Sequence, residues 1–90
     1  MSKEKEQKNS QLKDKTITLR TIVVYNDDIN TFEHVINCFM TILEHPYEQS
    51  LIETYTIHVD GKCGVKSGTY EELEPYALAL LNQKLSIKIE

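Results

Sequence analysis

No apolar run in this chain approaches the length of a membrane span, and nothing near its start has the pattern of a secretory signal. A cytosolic protein without membrane contact is therefore expected. Two cysteines, Cys38 and Cys63, are too few for a disulfide framework, and no CxxC or Cys/His cluster has the spacing of a zinc site. Neither a metal nor another cofactor is expected. Basic residues are also scarce: no Lys or Arg stands between Arg20 and Lys62. The chain as a whole carries 10 Lys and Arg against 14 Asp and Glu, a net charge of −4. Met1 to Lys15 holds five Lys and three acidic residues, a net of +2, which leaves −6 for the remainder. An acidic body argues against nucleic acid, which basic surfaces bind, and favours a cationic ligand or a basic partner. There is no nucleophile elbow, and the adjacent Asp27 and Asp28 cannot both point at one substrate without strain. No catalytic activity is expected.

What is present fits one small domain. Met1 to Lys15 has only Leu12 as a sizeable apolar residue after the first Met, so residues 1–15 read as a disordered tail and 16–90 as the domain. Thr16 to Tyr25 is rich in β-branched residues, with Ile17 and Leu19 alternating before Ile22-Val23-Val24, and predicts a strand. The stretch Tyr25-Asn26-Asp27-Asp28-Ile29-Asn30-Thr31-Phe32-Glu33 follows it and organises the chain. It sets an amide and two carboxylates at a strand-to-helix junction, with Asn30 and Glu33 spaced as a cap and capping box. Phe32, Val35, Ile36, Phe39 and Leu43 then mark one face of a helix to about Glu44, and Cys38 reads as a core residue within it. Pro46 suits the first turn of a second helix, and His34 and His45 read as surface.

Thr54 to Val59 is open to two readings. Its strand propensity and the Asp60-Gly61 turn signal argue for a hairpin. Leu51, Tyr55 and His58, at i, i+4 and i+7, argue for a helix continuing from Tyr47. Lys62 to Lys66 reads as an inner strand with Gly64 allowing close approach, and Thr69 with Glu72 as a second capping box. Leu73, Tyr76, Ala77, Leu80 and Leu81 follow on one helical face, interrupted by an awkward Pro75. Leu85 to Glu90 alternates as a half-buried strand. The fold class is α+β: a two-layer sandwich of three strands under three helices, in the order β-α-α-β-α-β.

Asn26-Asp27-Asp28, a cap, and Phe32-Glu33-His34-Val35-Ile36 together resemble the signature of the ClpS family, the bacterial N-end rule adaptors. His58, Gly61-Lys62, Cys63-Gly64-Val65 and the closing Leu85 to Glu90 extend the likeness over Ile22 to Glu90. The resemblance implies a protein that binds substrates beginning with Leu, Phe, Tyr or Trp (N-degrons). It would hand them to a Clp AAA+ unfoldase, ClpA- or ClpC-like, and its protease. It also places Tyr47 to His58 on a helix. Carried over by position, Asn26, Asp27 and His58 hold the substrate's α-ammonium. Phe32, Val35, Thr54 and Leu85 line the side-chain pocket, with Asn30 at the family's capping position and Asp28 at the third motif position counted beside them. Phe32 and Thr54 stand where well-studied members have methionines, the Gly61 to Cys63 segment and third helix are shorter, and Glu74 falls near a docking Lys. A receiver-like phosphoacceptor domain, which would need five βα units, and a stalk-type interaction module are the alternatives.

Overall fold

The computed structural model describes residues 17–90, so the expected tail lies outside the described residues. Six elements follow in order: β1 (Arg20–Tyr25), α1 (Phe32–Thr41), α2 (Tyr47–Asp60), β2 (Lys62–Gly68), α3 (Tyr70–Asn82) and β3 (Ser86–Ile89). The strands form one sheet in the order β2-β1-β3, antiparallel at both pairings. That arrangement is the expected α+β one, and an antiparallel sheet excludes the receiver-like alternative. The core between sheet and helices takes Ile22 and Val24 from β1, Phe39 and Leu43 from the α1 region, and Leu73, Ala77 and Leu80 from α3. Cys38 is buried among them, as its place in the apolar stripe predicts.

Four local expectations are corrected. β1 begins at Arg20, and Ile17 and Leu19 lie before it, exposed, so the alternation at the start does not carry into the sheet. β2 is an edge strand, because β1, with its continuous β-branched run, takes the centre. Gly64 is needed for close approach all the same: a Cβ there would lie 2.9 Å from Cγ2 of Thr21 on the neighbouring strand. The cap of α1 is Thr31, whose hydroxyl accepts from the His34 N–H, and not Asn30. Both residue types cap well, but the Asn30 amide is used elsewhere. α1 also ends at Thr41, three residues early; Glu44 sits at φ 59 and turns the chain toward α2.

The contested stretch is helical. Pro46 caps α2 from outside its first turn, and Gly61, at φ 92, closes it with an N–H to the Ile57 carbonyl. Asp60-Gly61 is thus a left-handed helix end, the conformation that glycine tolerates, and not a hairpin turn. The face turned inward is Ser50, Glu53, Thr54 and Ile57, rather than Leu51, Tyr55 and His58. Three polar residues can face the interior because each finds a partner close by. Thr54 Oγ1 donates to the Ser50 carbonyl at 2.8 Å, and Ser50 Oγ to the His45 carbonyl at 3.4 Å. Glu53 accepts from Gln49 at 3.1 Å and pairs with His45 Nδ1 at 2.8 Å. His45 is accordingly an interior partner and not a surface residue, its side chain being 13% exposed. His34 is also half-buried, with Nε2 at 2.9 Å from the Gln83 carbonyl.

α3 opens on the expected capping box, with Thr69 and Glu72 bonded in both directions. Pro75 lies inside the helix without ending it; the carbonyl it leaves free belongs to Glu71, an exposed residue that water can serve. In and after the turn that follows, Leu85 is buried, Ile87 and Ile89 are half-buried, and Ser86, Lys88 and Glu90 are exposed, the alternation read from the sequence.

Candidate functional site

At the end of the sheet where β1 finishes, the junction loop and the last turns of α2 enclose a cleft of about 300 Å³. Its lining is Asn26, Asp27, Asn30, Thr31, Phe32, Val35, Thr54, Ile57 and His58, with no Lys or Arg among them. Beneath it, a cavity of about 30 Å³ shares Asn26, Asp27, Asn30, Val35 and Ile57 and adds Leu85 and Ser86 from the start of β3.

Asp27 builds the loop. Its Oδ1 accepts from the backbone N–H groups of Ile29 and Asn30, both at 2.9 Å. Its Oδ2 accepts from the Asn30 amide at 2.8 Å and the Ser86 hydroxyl at 3.0 Å. A carboxylate offers about four lone-pair sites, and here four donors occupy them. Burial pushes the Asp27 pKa up, but the Asn30 backbone and amide, the Ile29 N–H and Ser86 together pull it further down, so it lies below its ordinary value. All four donors are neutral, and no Lys or Arg among the described residues pairs with the negative charge at the cleft. The Asn30 amide also donates to the Lys84 carbonyl at 3.0 Å, tying the loop to the turn before β3. That double duty explains why Thr31 caps the helix.

Asn26 and His58 stand at the exposed rim. The Asn26 N–H donates to the Gly61 carbonyl at 2.9 Å, which links the loop to the end of α2. The loop's hydrogen bonds run through Asp27 and Asn30 and leave the Asn26 and His58 side chains without a partner among the described residues. Phe32 and His58 face each other across the mouth, edge to face, with ring centroids 6.4 Å apart and planes at 84°. Thr54 is 3% exposed, and its hydroxyl hydrogen is committed to the Ser50 carbonyl, so it has no donor for a ligand.

The structure thus brings together Asn26, Asp27, Asn30, Phe32, Val35, Thr54 and His58. Leu85 lies one layer down, buried, in the smaller cavity. Asp28 lines neither space and is exposed. Three contributors carried no signal that the sequence reading used: Thr31, Ile57 and Ser86. Ile57 could have been found as the residue one turn beyond Thr54. Ser86 is 59 residues from Asp27, and only the tertiary fold shows that contact.

Fold and cleft together define a small binding domain: an antiparallel sheet and three helices that hold one cleft with an apolar interior and an acceptor-rich rim. The family profile described as "ATP-dependent Clp protease adaptor protein ClpS" matches residues 15–87. The chain belongs to the ClpS family, which sets the stalk-type alternative aside. The ATP-dependent Clp protease adapter protein ClpS of Thermosynechococcus vestitus (strain NIES-2133 / IAM M-273 / BP-1) is 34% identical over 67 residues, covering 73% of this chain and 71% of that one. The structure of Agrobacterium tumefaciens ClpS2 bound to L-phenylalaninamide shares the fold at a TM-score of 0.77 and 18% identity, over 83% of this chain and 98% of that one. No helix among the described residues is long and apolar enough to cross a membrane.

Proposed function

We propose that this adaptor binds the first residue of N-degron substrates, through a free α-amine and a bulky apolar or aromatic side chain, and delivers them to a Clp AAA+ unfoldase. The observation that carries the reading is the pairing of rim acceptors that have no partner among the described residues, Asn26 and His58 beside the Asp27 charge, with an interior of Phe32, Val35, Thr54 and Ile57. An α-ammonium, with a reference pKa of about 7.7–8, is mostly charged at neutral pH and has donors only. An amide oxygen, an imidazole nitrogen and a nearby carboxylate answer it. Hydrogen bonds to a charged group contribute about 1.5–3 kcal/mol each, and burying a Leu or Phe side chain adds roughly 1.5–3 kcal/mol. The ligand of the Agrobacterium relative, an amino-acid amide with a free amine and an aromatic side chain, has this chemistry.

Preferred substrates begin with Leu, Phe, Tyr or Trp, and the unfoldase is ClpA- or ClpC-like. The domain begins near Thr16, and Met1 to Lys15 engages the unfoldase while the cleft holds the substrate. No reaction is catalysed. The deciding experiment is a fluorescence anisotropy titration with peptides that differ only in the first residue, each free and acetylated at its amine. Free Leu and Phe peptides should bind and their acetylated forms should not. Equal affinity for free and acetylated peptides overturns the amine-based reading. A chain starting at Thr16 should keep peptide affinity and lose or slow substrate delivery.

A further inference from the structure

The outer side of α2 carries a second apolar face. Ile52 is 65% exposed, Tyr55 61%, Val59 58% and Leu51 36%. At positions i, i+4 and i+8 around Leu51, with Ile52 beside it, these four form one stripe over two turns. Single exposed apolar residues are ordinary on protein surfaces, whereas a continuous stripe of this kind marks a contact surface. The inward side of the helix is occupied by the hydrogen-bonded set Ser50, Glu53 and Thr54, so the stripe cannot turn into the core without stranding those groups.

The charge around it has one sign. Residues 21–61 hold seven acidic side chains and no Lys or Arg. Glu48 lies one turn before Ile52 on the same side, and Asp60 follows Val59 at the helix end. Lys62, the nearest cation in sequence, has its ammonium 5.9 Å from the Tyr25 ring centroid, over the sheet.

We propose that this face docks a helix of a partner protein whose apolar stripe is bordered by Lys and Arg. Apolar contact supplies the attraction and the acidic border selects the partner's charge. A second copy of this chain fits less well, because antiparallel packing of two α2 helices sets Glu48 of one beside Asp60 of the other. The chain's own residues 1–16 are basic enough but offer only Met1 and Leu12 as sizeable apolar groups. An anionic lipid surface is repelled by the same border. None of the four lines the cleft, although His58 of its rim lies one turn from Tyr55, and the proposal does not rest on amine recognition.

The test uses the full chain and three labelled model helices in anisotropy titrations. One has a Leu stripe flanked by Lys, a second the same stripe flanked by Glu, and a third the first peptide's composition with its Leu residues scattered around the helix. The Lys-flanked helix should bind, the Glu-flanked helix should not, and the scattered one should bind at least about tenfold more weakly. The double variant Ile52→Ser, Tyr55→Ser should weaken the Lys-flanked helix by about tenfold or more while its thermal melt stays in place, since both residues are exposed. Added salt should weaken binding without abolishing it. Equal binding of the scattered peptide, or undiminished binding by the double variant, overturns the proposal. So does sedimentation of the chain as a dimer that the double variant dissociates, which assigns the face to a second copy.

Discussion

Asp27 and Glu53 are both carboxylates withdrawn from water, and they are held in opposite ways. Asp27 takes four neutral donors, two of them backbone N–H groups of its own loop, and keeps its charge at the mouth of the cleft. Glu53 is more deeply buried and spends its oxygens on His45 and Gln49, away from the cleft. The first arrangement orders a loop and leaves a field for a ligand. The second joins the α1–α2 connection to α2 and leaves nothing over. Hydrogen bonds alone therefore do not distinguish the two carboxylates; their position does, because only Asp27 borders the cleft.

The largest effect that tests this contrast is on stability. Glu53→Ala removes the carboxylate partner of the largely buried His45, and should cost about 1–3 kcal/mol, a fall of roughly 10 °C in thermal melting. Peptide affinity should remain within about twofold once the protein is folded, well short of the tenfold that 1.4 kcal/mol represents. Asp27→Asn should do the reverse: peptide affinity falls about tenfold or more, roughly 1.4 kcal/mol, with a smaller change in melting temperature. If Glu53→Ala weakens binding as much as Asp27→Asn does, the division of roles collapses.

A third, smaller effect sharpens the view of the cleft wall. Thr54 is a short side chain in the cleft wall, and its hydroxyl hydrogen is committed to the Ser50 carbonyl. Ile-initiated peptides should therefore bind less than about tenfold worse than Leu-initiated ones, and Thr54→Met should widen that ratio with little loss for Leu. An unchanged ratio would show that Thr54 does not border the ligand's β-carbon.

The smallest effect is on pH dependence. The Asp27 pKa is lowered in the folded chain, so its contribution to stability is fully present above the ordinary carboxylate value of about 3.9 and is lost as pH falls through the folded value. Melting temperatures of the unmutated protein and Asp27→Asn should differ by a constant amount from neutral pH to about 5, then converge on further acidification. A gap that stays constant through strong acid would mean that the Asp27 hydrogen bonds do not favour its charged form.

Where spacing and local chemistry decide the outcome, the sequence was legible. The alternation of β3, the Thr69-Glu72 box and the order of the six elements are all of this kind. So was the gathering of Asn26, Asp27, Thr54 and His58, though there the family resemblance supplied what periodicity left even. The inward face of α2 was not legible. Counting apolar residues selects Leu51 and Tyr55, whereas the helix buries Ser50 and Glu53, whose partners His45 and Gln49 make polar burial tolerable. The α1 cap was missed by one residue for a related reason: Asn30 is drawn away by Asp27 and by the Lys84 carbonyl, 54 residues along the chain.

Gly61 has a consequence for how this protein can be altered. Its N–H ends α2 three residues after His58, and its carbonyl receives the Asn26 N–H, so the main chain alone spaces the two rim positions. Ligand chemistry and rim geometry are thus separable. Side chains at positions 26 and 58, both exposed, can be exchanged in combination while the main chain at Gly61 keeps their spacing, which makes the rim a fixed frame for engineered recognition. No heavy atom lies within 4 Å of a Cβ built on Gly61, so replacing it adds backbone strain without a clash. Gly61→Ala therefore isolates the frame itself, loosening the rim at a conformational cost of about 1 kcal/mol while every side chain that lines the cleft is left unaltered.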